Sequence, residues 1–127
     1  MGIKGVRVGI ISTVTPENMT ARVAFPDEID TASGKELVSG ELVVLGRGTR
    51  GTKDFWMPNV GDQVVCLFPE NGKNAGYIAG TIFNAQDRPP EGAGKGKLIL
   101  EHDGDMLINC TGVIKINGRA IHLNEGG

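Results

Sequence analysis

Residues 61–84 read Gly61-Asp62-Gln63-Val64-Val65-Cys66-Leu67-Phe68-Pro69-Glu70-Asn71-Gly72-Lys73-Asn74-Ala75-Gly76-Tyr77-Ile78-Ala79-Gly80-Thr81-Ile82-Phe83-Asn84, and this stretch decides the fold. Val64, Cys66 and Phe68 alternate with Val65, Leu67 and Pro69; Tyr77, Ala79, Thr81 and Phe83 alternate with Ile78, Gly80 and Ile82. A period of two in residues that favour extended backbone predicts two strands. Residues 70–76 between them hold Asn71-Gly72 and a second glycine, which supply the positive φ angles of a hairpin connection. Gly61 before the first strand and Gly80 within the second predict a tight entry and a bulge or a close backbone approach, as small curved barrels require. The hairpin is the expected spine of a small β-barrel.

Working outward, residues 6–14 and 19–25 alternate in the same way. They are separated by Thr15-Pro16-Glu17-Asn18, a turn with φ fixed by proline, and the second run is expected to stop at Pro26-Asp27. Residues 28–39 are polar and read as a loop or an exposed edge excursion, and residues 42–45 as a third strand. Gly46-Arg47-Gly48-Thr49-Arg50-Gly51 matches a dinucleotide fingerprint in letters. That fingerprint works only where the glycines open a helix facing the pyrophosphate. Here Thr52-Lys53-Asp54-Phe55-Trp56-Met57-Pro58 follows instead, so a plain glycine-rich loop is expected.

Composition limits the remaining choices. The chain has 127 residues, 39% of them hydrophobic and only 5% aromatic, so one modest, mostly aliphatic core is expected. Twenty glycines and six prolines imply many turns, and no window carries helical periodicity. A net charge of −2 speaks against a chain built to neutralise nucleic-acid phosphate or anionic lipid. With no membrane-length apolar run and no leader-like N-terminus, synthesis in the cytoplasm is expected. Cys66 and Cys110 both fall in alternating runs without metal or redox spacing, which predicts two buried free thiols.

Residues 84–96 break the pattern with Pro89-Pro90 and three glycines, placing a linker at 85–96. Beyond it come four short alternating runs at 97–101, 105–109, 112–117 and 119–124. Tight-turn pairs separate them: Asp103-Gly104, Thr111-Gly112 and Asn117-Gly118. Leu98, Leu100, Met106, Ile108, Ile114, Ile116, Ile121 and Leu123 collect on one face; Glu101, Asn109, Lys115, Asn117, His122 and Asn124 lie on the other. Eight apolar side chains do not offset the conformational entropy of fixing about 28 backbones. The dry face therefore requires a cover, either the barrel or identical tails from other copies.

Residues 55–65, Phe55-Trp56-Met57-Pro58-Asn59-Val60-Gly61-Asp62-Gln63-Val64-Val65, then Leu67-Phe68 and residues 76–84, resemble the P-x-V-G-D-x-V and G-x-x-x-G-x-x-x-N signature of baseplate assembly protein V, the central spike of contractile phage tails and related injection machines. The resemblance extends over about residues 5–124. It implies an all-β chain with an N-terminal OB-fold-like barrel at 1–84 and a short C-terminal triple-stranded β-helix at 97–127. It further implies a homotrimer whose needle pierces the target cell envelope and whose barrel docks on a trimeric tail hub, with Phe55 and Trp56 as candidate docking residues. The eight apolar residues of the tail become the trimer interface. Such a protein is made in the host cytoplasm and assembled into a virion or tail-like particle at its baseplate.

Some members of that family carry a lysozyme domain between barrel and needle; residues 85–96 leave no room for one. Other members close the apex with a His-x-His pair that binds iron. Here that place reads His122-Leu123-Asn124, and asparagine is a poor ligand for a transition metal. His122 also alternates away from Ile121 and Leu123, so no metal is expected there or at His102, and a separate small tip protein becomes a candidate partner. No spacing among 15 acidic residues and two histidines selects a catalytic pair, so neither catalysis nor a cofactor is expected. The alternative is an OB-fold protein binding single-stranded nucleic acid, because Arg47, Arg50, Lys53, Phe55 and Trp56 interleave cations with aromatics. The acidic balance opposes it, and no nucleic-acid partner is expected.

Overall fold

A computed structural model of the chain describes residues 5–29, 32–69 and 76–124. The connection expected at 70–76 thus lies outside the described residues except for Gly76. The described chain is all-β, with strands β1 (Gly5–Thr15), β2 (Thr20–Ile29), β3 (Glu36–Val38), β4 (Leu42–Val44), β5 (Gln63–Phe68) and β6 (Tyr77–Thr81), and a single 3₁₀ turn at Pro16–Asn18. It divides into two units, Met1–Pro89 and Pro90–Gly127.

In the first unit the ladders run in a closed cycle. β1 pairs antiparallel with β5 through Gly5↔Phe68 to Ile10↔Gln63, and with β2 through Ile10↔Ala24 to Thr15↔Thr20. β5 pairs antiparallel with β6, β6 parallel with β4, and β4 antiparallel with β2. One long strand can serve two neighbours only by coiling, and Gly9 marks the place. A Cβ there would lie 2.7 Å from Ala24 O and 2.9 Å from Phe25 Cε1, so only glycine lets the strands cross so closely. β6 carries a bulge, since Cys66 pairs with Ile78 but Val65 with Gly80, leaving Ala79 unopposed.

Alternation fills the ring's interior. Ile11, Val23, Phe25, Leu42, Val44, Val64, Cys66, Phe68 and Ile78 form one buried cluster, with Phe25 and Phe68 meeting edge to face at 6.2 Å. Buried Ser39 ties the β2 side down. Its Oγ accepts the Val23 amide at 3.0 Å and donates to Gly40 O at 2.6 Å, while its own amide donates to Val23 O at 2.8 Å. At Asn59 to Asp62 a turn closes before β5. The Asp62 amide donates to Asn59 O at 3.0 Å, the Asp62 carboxylate accepts the Asn59 amide at 2.8 Å, and Gly61 supplies φ +96.

Two expectations for this unit change. β2 does not stop at Pro26-Asp27 but continues to Ile29, because its pairing with β3 skips from Phe25↔Leu37 to Ile29↔Glu36 and the proline sits in the unpaired gap. Residues 28–39 include the short strand β3 at the sheet margin, where Leu37 packs against the core cluster.

The second unit differs from its expectation more sharply. None of the four runs between residues 97 and 124 is a strand in the single chain. In this unit Ala93 N donates to Pro90 O at 3.1 Å and Lys97 N to Gly94 O at 3.2 Å, both in the segment before the runs. Bends fall at Asp103, Gly104, Thr111, Gly112, Arg119 and Asn124, and residues 91–124 are all exposed. Turns are thus present without ladders, because a strand needs a neighbour's N–H and C=O groups and the successive runs do not offer theirs to one another.

Candidate functional site

Two places concentrate groups that the first unit's core does not use. The first is the apolar series of the tail. Leu98, Leu100, Met106, Ile108, Ile114, Ile116, Ile121 and Leu123 are all exposed, from 50% at Ile114 to 90% at Leu98. Isolated exposed aliphatic residues are ordinary, but eight at alternating positions in one short segment form a surface that water solvates poorly. Alongside them, none of the four runs forms a strand ladder in the single chain.

Cys110 continues the parity of Met106 and Ile108. The expectation of a buried thiol is corrected here: Cys110 is exposed, like the apolar residues whose parity it shares. Cys66 is buried in the ring, and burial alone pushes its thiol up to about 11. It is a neutral, unreactive packing group at physiological pH.

The second place is the rim loop between β4 and β5. The fingerprint-like glycines open no helix. Thr49 bridges to Lys53 and the Asp54 amide donates to Gly48 O at 3.0 Å, so the loop folds on itself as a small antiparallel turn. Arg47 is paired with Asp54, whose hydrogen bond and charge raise the guanidinium's already high pKa. Phe55 is 67% exposed. Trp56 is half-buried against the core cluster, and its indole N–H donates to Leu45 O at 2.9 Å. The two candidate docking aromatics therefore differ: Phe55 is available to a partner, whereas Trp56 anchors the loop to the ring.

Elsewhere, Glu41 accepts hydrogen bonds from Thr15 Oγ1 at 2.8 Å and Thr20 Oγ1 at 3.0 Å, which hold its carboxyl below the usual range. Alternation alone gives no sign of this clasp, since all three residues sit at strand ends. Among the described residues no three His, Cys, Asp or Glu side chains converge as metal ligands, and both His102 and His122 are exposed. No family model matches the chain, and no curated protein matches it.

Proposed function

We propose that the chain is a structural, non-enzymatic protein, the central spike of a contractile tail or related injection machine, working as a homotrimer. Its first unit is an OB-fold-like barrel that docks on a trimeric hub. Its tail is a short triple-stranded β-helix that leads the assembly through the target cell envelope, with a separate small tip protein as candidate cap. The particle is a virion or tail-like device, and the chain joins its baseplate after synthesis in the host cytoplasm.

One observation carries this reading: residues 97–124 combine eight exposed alternating apolar side chains with backbone that makes no ladder in the single chain. Three such segments wound about a common axis would turn the aliphatic flanks inward and give every strand edge a neighbour. The barrel reading is supported by the strand cycle β1-β2-β4-β6-β5, closed by the β1–β5 ladder and containing one parallel contact, β4 with β6. The function of such a shaft is mechanical, since stiffness follows from interlocked hydrogen-bonded chains.

The test is the mass in solution of the intact chain and of Ile116→Asp. A trimer that the aspartate reduces to single chains is expected, because a buried carboxylate without a partner is costly. A single-chain mass for the intact protein would refute the proposal.

The nucleic-acid alternative keeps some support from exposed Arg50, Lys53 and Phe55, but the Arg47–Asp54 pair removes one of its three cations. A salt-dependent change in Trp56 fluorescence on adding oligonucleotide would favour it; no change at low salt would retire it.

A further inference from the structure

Strand β1 serves β5 along its first half and β2 along its second, and where it leaves β2 the two strands part around a cleft. Hydrogen bonds at the head of β5 fix which main-chain groups face that cleft. The Ile11 amide donates to Asp62 O at 2.9 Å and Ile11 O accepts the Gly61 amide at 3.0 Å, so Ile11 turns to the β5 side. The β1–β5 register then runs unbroken from Ile10↔Gln63 to Gly5↔Phe68. Alternation therefore turns Gly9, Arg7 and Gly5 to β5, and Ile10, Val8 and Val6 to the opposite edge. Ile10 meets Ala24 there, but among the described residues the β1–β2 ladder goes no further in that direction. Val8, the next position on that edge, would oppose Pro26, which has no N–H to give. Val8 and Val6 thus present unladdered N–H and C=O groups to a cleft of about 220 Å³ lined by Val6, Arg7, Val8, Phe25, Asp27 and Glu28.

The side chains of the cleft add charge. Arg7 Nη1 donates to Glu28 Oε1 at 2.7 Å, whereas Glu28 Oε2 is shut off from solvent and has no hydrogen-bond partner among the described residues. A carboxylate oxygen so placed lacks the donor that would offset its burial. Asp27 brings a second carboxylate, so two acidic groups share one guanidinium.

We propose that the cleft receives an extended segment of a partner protein, which adds a strand to the edge of β1 at Val6 and Val8 and sets a lysine or arginine side chain beside Asp27 and Glu28. Edge, size and charge select this occupant. Main-chain groups on a strand edge pair with any extended chain, and the side chains beside them choose which. The volume is below the roughly 300–1,000 Å³ of pockets that enclose small-molecule ligands, but it accommodates one long side chain. The acidic balance repels phosphate and attracts a cation. A second copy docking by the same edge would set Asp27 and Glu28 against their own equivalents, which favours a foreign partner. The inference concerns the ring alone and does not depend on association of the tail.

The test uses the isotope-labelled full chain and two capped peptides in millimolar excess, acetyl-Thr-Val-Lys-Val-Thr-amide and its counterpart with glutamate in place of lysine. With the lysine peptide, hydrogen exchange at the Val6 and Val8 amides is expected to slow by about tenfold or more. The Arg7 and Gly9 amides, already turned to β5, should keep their rates. The glutamate peptide should leave all four unchanged. Asp27→Asn combined with Glu28→Gln should weaken the lysine peptide by about tenfold or more, with unaltered exchange at Arg7 and Gly9 reporting an intact β1–β5 ladder. Unchanged exchange at Val6 and Val8 with the lysine peptide, equal slowing by both peptides, or full affinity in the double variant would each overturn the proposal. A single-chain mass for the protein would refute the trimer and leave this site standing.

Discussion

The two units use the same alternation of apolar and polar residues with opposite results. In Met1–Pro89, alternate side chains of β1, β2, β4, β5 and β6 meet in one buried cluster, because the ladders close on themselves and give every inward position a cover. In Pro90–Gly127 the same pattern leaves its aliphatic flank in water. A period of two states which side chains share a face; it does not state which chain supplies the opposing one. The difference teaches that the ring covers its own apolar side chains as a single chain, whereas the described tail residues leave theirs exposed.

The largest effect expected from breaking this contrast is at Ile116. Ile116→Asp should abolish association while leaving the ring folded, read as loss of the trimer mass with the unfolding transition of the ring retained. Leu42→Ala should do the reverse. It empties part of the ring's core, where Leu42 is fully buried, and should cost about 2–5 kcal/mol in denaturant unfolding without releasing single chains. Ser39→Ala should be milder, about 1–3 kcal/mol, because it leaves the buried Val23 amide without its acceptor.

Smaller effects sharpen the contrast. The Glu41 carboxyl is held low by Thr15 and Thr20, so its contribution is full above the ordinary carboxylate range and lost as pH falls through the lowered folded value. Replacing both threonines by valine should flatten that acid limb of ring stability, measured by unfolding below about pH 4.5. Thiol labelling near pH 8 separates the units directly. Cys66 should stay unmodified until the ring unfolds, whereas Cys110 should react readily in Ile116→Asp single chains and slowly in the trimer.

Much of the ring was legible in the sequence because its signals are local. Val64, Cys66 and Phe68 declare their face by alternation, and Asn59-Val60-Gly61-Asp62 declares its turn by residue type. Pro26 misleads because a proline ends a strand only where its missing N–H is needed, and the skipped register between Phe25 and Ile29 removes that need. The edge strand at Glu36–Val38 is hidden by its shortness and polar surroundings, and its place depends on distant β2. Trp56 illustrates the same limit: adjacent aromatics Phe55 and Trp56 read alike in the pattern, and their roles part only where the indole packs on the core cluster and donates to the Leu45 carbonyl. In the tail the bends are legible and the four expected strands are absent from the single chain.

The most direct test of the central claim is the mass of the purified full-length protein in solution. One chain has a mass of 13.4 kDa. The account requires a species of about 40 kDa that persists on dilution until Ile116→Asp is introduced. A species at the single-chain mass, with the tail's aliphatic side chains still solvent-exposed by labelling, would contradict it.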